Sequence, residues 1–106
     1  MRVLFDQGTP APLRHLLLEH EVETAYERGW SSLQNGELIA AAEAAGFAVF
    51  VTTDRNLKNQ QNLAARRMAF VVLLTTSWPR IKAASADVVV AVNESLPGAY
   101  VEVSIP

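Results

Sequence analysis

The sequence of 106 residues contains no cysteine, which excludes a disulfide framework and any thiolate metal site. Histidine is scarce as well, and neither His15 nor His20 has a partner at metal-ligand spacing. Both read as surface or helix-end residues. Charge is sparse: 19% of residues are charged and the net charge is −2. That balance gives no whole-molecule attraction to a phosphate backbone and confines any nucleic-acid contact to a local basic group or a metal. No apolar run is long enough to cross a bilayer. The start MRVLFDQG has no basic stretch, long apolar segment or small-residue cleavage site, so the chain is expected to stay in the cytosol.

Half of the residues are hydrophobic, the composition of a packed globular protein. With no repeat, low-complexity segment or linker, residues 1–106 read as a single domain with one core. Five candidate strands alternate with helical patterns. Residues 2–6 read as the first strand, and Thr9 with Pro10 opens a helix that carries Leu13, Leu16 and Leu17 to about His20. Residues 21–24 form a short strand. Asn35 is a candidate N-cap for a helix with Leu38, Ile39, Ala42 and Ala45 on one face, closed by Gly46. Residues 47–53 are too uniformly apolar for a sheet with a wet face and read as a central strand. A helix over 57–67 and a strand over 69–74 follow. The spacing of Ile81, Ala84, Val88, Ala91 and Val92 predicts a helix over 79–93, although the VVV run at 88–90 has strand propensity. After the Leu96-Pro97-Gly98 turn, residues 100–105 alternate as an edge strand does. Alternating strands and helices imply an α/β fold, a three-layer α/β/α sandwich with right-handed crossovers and a mostly parallel sheet of about five strands.

Two strands stop at an acid: VLFDQG ends on Asp6, and VFVTTDRNL breaks at Asp54. In an open α/β sheet, ligands gather outside the carboxyl ends of the strands. Neighbouring strands lie about 4.8 Å apart, which would bring the two carboxylates within reach of one cation. Glu37, in the first turn of the helix leading to the Asp54 strand, is a third candidate. Oxygen donors without histidine or cysteine favour Mg²⁺ or Mn²⁺ over zinc. Each acid also has a structural reading: Asp54 as a helix cap, Glu37 as a partner of the helix dipole, Asp6 as the start of a turn. Arg55, Lys58, Arg66 and Arg67 form the only local basic group beside these acids. Of these, Arg55 and Lys58 are the candidate nucleic-acid contacts. Trp30 and Trp78 read as core or interface anchors and not as stacking platforms.

The blocks VLFDQG, GWSSLQNGELIAAAEAAG and VFVTTDRNL, in that order over residues 1–76, resemble the DUF5615 PIN-like domains. The resemblance implies an α/β/α sandwich and a metal-dependent ribonuclease, often the toxin of a bacterial toxin-antitoxin pair. By position, Asp6, Glu37 and Asp54 look like the family's metal-binding and catalytic acids, with Gln7, Thr52, Thr53 and Asn56 around them. The partners expected on this resemblance are RNA as substrate, a cognate antitoxin protein and a second copy of the chain. Two positions depart from the pattern. Gln7 is neutral where DEN is usual, and Asn56 is neutral where DRDF is common, so negative charge is removed from the site. A catalytically degenerate interaction module is therefore the competing expectation. A phospho-acceptor receiver would want an acid at Gln7 and a lysine after Lys82, and an Asp-x-Asp phosphatase is excluded by Gly8.

Overall fold

A computed structural model describes residues 1–106. Five strands form one sheet: β1 (Arg2–Phe5), β2 (Glu21–Thr24), β3 (Val49–Thr52), β4 (Ala69–Leu73) and β5 (Tyr100–Val103). Their order is β2-β1-β3-β4-β5, and every neighbouring pair is parallel. The fold is thus α/β, and all five strands deliver their carboxyl ends to the same edge. Burial follows position in the sheet: β3 and β4 are buried at every residue, whereas β2 and β5 at the edges are half-exposed. This accounts for the continuous apolar runs of the central strands and the alternation in YVEV.

Alternate residues of the central strands feed two cores. Val3, Phe5, Val49, Val51, Val71 and Leu73 face one side, where Leu13, Leu17, Ile81, Val88 and Val92 cover them. Leu4, Phe50 and Phe70 face the other, against Leu38, Ile39, Ala42, Leu57 and Leu63. The covering segments are α1 (Asn35–Ala44), α2 (Leu57–Gln60), α3 (Trp78–Ala83), α4 (Ser85–Asn93) and two 3-10 turns, Ala11–Leu16 and Leu63–Ala65. Helical layers therefore lie on both faces of the sheet.

The four crossovers do not share one hand, contrary to the expectation of right-handed connections throughout. From β3 to β4 and from β4 to β5 the chain steps in the same direction along the sheet. Yet α2 covers the Leu4–Phe50–Phe70 face, and α3 and α4 cover the opposite one. Equal steps over opposite faces are of opposite hand, a departure from a rule that holds in about 98% of such connections. Its effect is to balance the layers. Had residues 78–93 joined α1 and α2 on their face, the Val3–Val51–Val71 side would have been left with only the 3-10 turn at Ala11–Leu16.

The helices are shorter than the sequence suggests, each for a local reason. The helix expected from Thr9 to His20 is a 3-10 turn, Ala11–Leu16, with Pro10 at its N-cap. Pro10 and Pro12 donate no backbone hydrogen bond, and the Thr9 hydroxyl is spent on Asp6. The helix expected over 57–67 breaks after Gln60, and Gln61 is extended; the amide-rich KNQQN run holds only one turn. Trp78–Asn93 is helical as expected, VVV included, but is interrupted at Ala84. The α1 N-cap is Gln34 and not Asn35, with a reciprocal capping box to Glu37. Gly46, at φ +87°, closes α1 in a conformation that favours glycine.

Candidate acidic site at the carboxyl edge

β1 is followed by a connection over one face and β3 by a connection over the other, so their carboxyl ends diverge. Such a switch point is the general ligand position of open α/β sheets. Asp6 and Asp54 lie here. β1 and β3 pair in register through Phe5 and Val51, and the Asp6 amide continues the ladder to the Val51 carbonyl at 3.1 Å.

Asp6 is enclosed by donors. Thr9 Oγ1 donates to its Oδ1 at 2.7 Å, Thr52 Oγ1 donates to its Oδ2, and the backbone N–H groups of Gly8 and Thr9 also point at the carboxylate. Both hydroxyls are buried. Burial nevertheless outweighs these four donors and pushes the Asp6 carboxyl above its ordinary value. Gly8 leaves room for Thr53: a Cβ there would stand 2.7 Å from Thr53 Oγ1 and force that side chain to move.

Asp54 sits differently. Its Oδ1 accepts from the Asn56 backbone N–H at 3.0 Å, a local turn of the kind aspartate favours. Its Oδ2 accepts from Asn35 Nδ2 at 2.9 Å, nineteen residues away at the start of α1. The Asp54 N–H donates to Thr52 Oγ1 at 3.0 Å, so one buried hydroxyl donates to Asp6 and accepts from Asp54. Thr52, expected to support the acids, ties the Asp6 carboxylate to the Asp54 main chain.

Glu37 is turned to its own helix, where its Oε1 accepts from the Gln34 N–H at 3.2 Å. No three His, Cys, Asp or Glu side chains gather closely enough to hold a metal. Gln7 donates its amide to the Ser31 carbonyl and ties the loop after β1 to the GWSS segment. Asn56 serves through its backbone, with no side-chain cap bond to α2. Of the basic residues, Arg55 donates to the Leu74 carbonyl at 3.0 Å. Lys58 lies 3.5 Å from Glu102 and 5.6 Å from the centre of the Tyr100 ring. The Tyr100 hydroxyl donates to Glu102 at 2.9 Å; burial and this carboxylate push it up to about 12. Trp30 packs edge-on against Phe47, and Trp78 packs on the Val3–Val51 core, as anchors do.

Two clefts adjoin at this edge, sharing Asp6, Gln7 and Ser31. One, of about 310 Å³, is lined by Ser32, Gln34 and Asn35. The other, of about 400 Å³, is lined by Thr9, Thr24 and Tyr26. Asp6 is the one charged residue in either lining.

No family model, curated protein or solved structure matches this chain. The chemistry of the edge is therefore read from its own residues. Its donors are carboxylate, amide and hydroxyl oxygens, a set suited to a hard divalent cation, and Mg²⁺ is commonly held through one or two carboxylates with the rest of its shell water. Of the three acids, Asp6 and Asp54 lie at neighbouring strand ends, and Glu37 is held at its own helix start. The sequence reading missed the roles of Asn35, Thr9, Ser31 and Tyr26. Asn35 carried a signal, an amide at a helix start, but that signal spoke for capping. Separately, no helix is long and apolar enough to cross a membrane.

Proposed function

We propose that this chain is a PIN-like domain that cleaves RNA phosphodiesters, with Mg²⁺ or Mn²⁺ held by Asp6 and Asp54. The observation that carries the reading is that the two acids end neighbouring parallel strands at the switch point of the sheet, where the buried Thr52 hydroxyl donates to the Asp6 carboxylate and accepts from the Asp54 main-chain N–H. Bound there, the cation supplies an activated water and neutralises phosphate charge. Asp6 is held rigidly by Thr9 and Thr52, whereas Asp54 is oriented by Asn35 from α1. Glu37 acts at one remove by fixing the helix start that presents Asn35. The resemblance to DUF5615 domains extends the proposal to the toxin of a bacterial toxin-antitoxin pair.

A second reading, a PIN-like interaction module without catalysis, is favoured by the hydrogen bonds that already engage Asp6, Glu37 and Asp54, and by neutral Gln7 and Asn56. Incubation of the protein with a mixed single-stranded RNA pool and Mn²⁺ separates the two. The nuclease reading expects cleavage that EDTA stops and that Asp54→Asn abolishes in a folded protein. Intact RNA under all conditions assigns the chain to the interaction class.

A further inference from the structure

Tyr26 is 81% exposed, and single exposed apolar side chains are ordinary. Its setting is not. The residue before it, Ala25, is fully buried and bonded to the Phe5 carbonyl at 2.9 Å. The turn that carries it is braced from three sides. Thr24 and Glu27 exchange reciprocal bonds, Thr24 N–H to Glu27 Oε1 at 2.9 Å and Glu27 N–H to Thr24 Oγ1 at 3.1 Å. Arg14 grips the Glu27 carboxylate through both guanidinium nitrogens, at 2.6 and 3.1 Å, and holds the Val22 carbonyl at 2.8 Å. The Gly29 N–H closes on the Tyr26 carbonyl at 3.0 Å. The braced turn fixes where the ring is carried, so little main-chain freedom is lost on binding.

The ring stands on the cleft that also contains Asp6. That cleft is lined by Gln7, Ser31, Ala11 and the engaged Thr9 and Thr24 beside Asp6, with no lysine or arginine. Such a lining suits a flat, neutral, partly apolar group and not a phosphate. Base-on-aromatic stacking is indifferent to base identity because every base presents a π-face. The other leading exposed apolar residues, Leu18 and Leu96, offer no ring.

We propose that Tyr26 is the stacking platform for one nucleobase of single-stranded RNA, seated in the cleft beside Asp6. The cleft lined by Ser32, Gln34 and Asn35, on the far side of Asp6 and Gln7, takes the adjoining nucleotide through amide and hydroxyl contacts. The inference rests on RNA as the substrate in the preceding proposal. It adds the direction of the strand's path, from the Tyr26 side to the Asn35 side across Asp6.

Binding of a labelled single-stranded RNA oligomer, followed by fluorescence anisotropy in EDTA, tests stacking apart from catalysis. Tyr26→Phe is expected to bind within about twofold of the parent, and Tyr26→Ala about tenfold more weakly. An oligomer carrying abasic sites is expected to bind the parent and Tyr26→Ala equally. Equal affinity of the parent and Tyr26→Ala for the intact oligomer overturns the proposal and points to a protein contact for this ring. The same holds if the abasic oligomer still discriminates between them, or if no oligomer binds the parent. Tyr26-dependent binding without any Mn²⁺-dependent cleavage upholds the stacking site while removing the nuclease reading, so the two failures are distinguishable.

Discussion

The ends of β1 and β3 hold the same residue type in contrasting states. Asp6 accepts from two buried hydroxyls and two backbone amides; Asp54 accepts from one backbone amide of its own turn and one side-chain amide from α1. The first acid is built into the sheet edge, and the second is presented from it. An acid saturated by buried donors supports the fold whether or not it binds a ligand. An acid held by fewer donors gives up less when it takes a ligand. The same division runs through the other acids: Glu37 and Glu27 are committed to backbone amides at the starts of turns, whereas Glu102 sits at the exposed edge strand with Lys58 and Tyr100.

The largest effect is expected from removing each aspartate in turn. Asp6→Ala leaves the Thr52 hydroxyl and the Gly8 N–H without their acceptor, while the Thr9 hydroxyl keeps the Val51 carbonyl and the Thr9 N–H keeps the carbonyl of residue 6; the cost is about 2 kcal/mol, or a fall in Tm of roughly 8 °C. Asp54→Ala breaks one side-chain bond and one local turn, at about 1 kcal/mol. Urea unfolding of the two variants measures the difference directly, and equal losses would break the distinction between a built-in and a presented acid.

A smaller effect sharpens the position of Glu37. Glu37→Ala removes half of the capping box and is expected to cost about 1 kcal/mol, while Glu37→Gln retains an acceptor for the Gln34 N–H and is expected to be nearly neutral. If Mn²⁺ raises the Tm of the parent and of Glu37→Gln equally, Glu37 is a cap and no ligand. Loss of the metal response in Glu37→Gln alone would return it to the site beside Asp6 and Asp54.

The smallest effect is electrostatic and opposite in sign at two positions. Arg14 and the Thr24 amide hold the Glu27 carboxyl down at about 2, so its contribution is present above the ordinary carboxylate range and is lost as pH falls toward about 2. Burial raises the Asp6 carboxyl, so the stabilisation of its neutral form is present at low pH and is lost as pH rises through the raised value. Glu27→Gln is therefore expected to lower the unfolding free energy near neutral pH by less than about 1 kcal/mol, discounted for the exposure of the pair. Near pH 2 the variant and the parent should coincide. A constant gap across that range would show that Glu27 braces the Tyr26 turn through geometry and not through charge.

Much of this architecture was legible in the chain because it is recorded in local pattern. The uniform burial of VFVT identified a central strand, the alternation of YVEV an edge, and the abrupt stops at Asp6 and Asp54 the carboxyl edge of a parallel sheet. Those features depend on the environment of each residue, which hydrophobic periodicity encodes. Helix lengths were less legible, because the prolines at 10 and 12 and the amide run at 59–62 act through competing hydrogen bonds that periodicity does not record. What only the tertiary structure decided are the partnerships across long stretches of chain. Thr52 reaches Asp6 over forty-six residues, Asn35 reaches Asp54 and leaves the cap to Gln34, and residues 78–93 cross on the face that the 3-10 turn alone could not cover. A hydrogen-bond partner or a crossover hand is a property of two segments brought together. The sequence by itself determined that two acids would end two central strands; the packing of the layers around them decided which one is surrounded by four donors and which one is held by two.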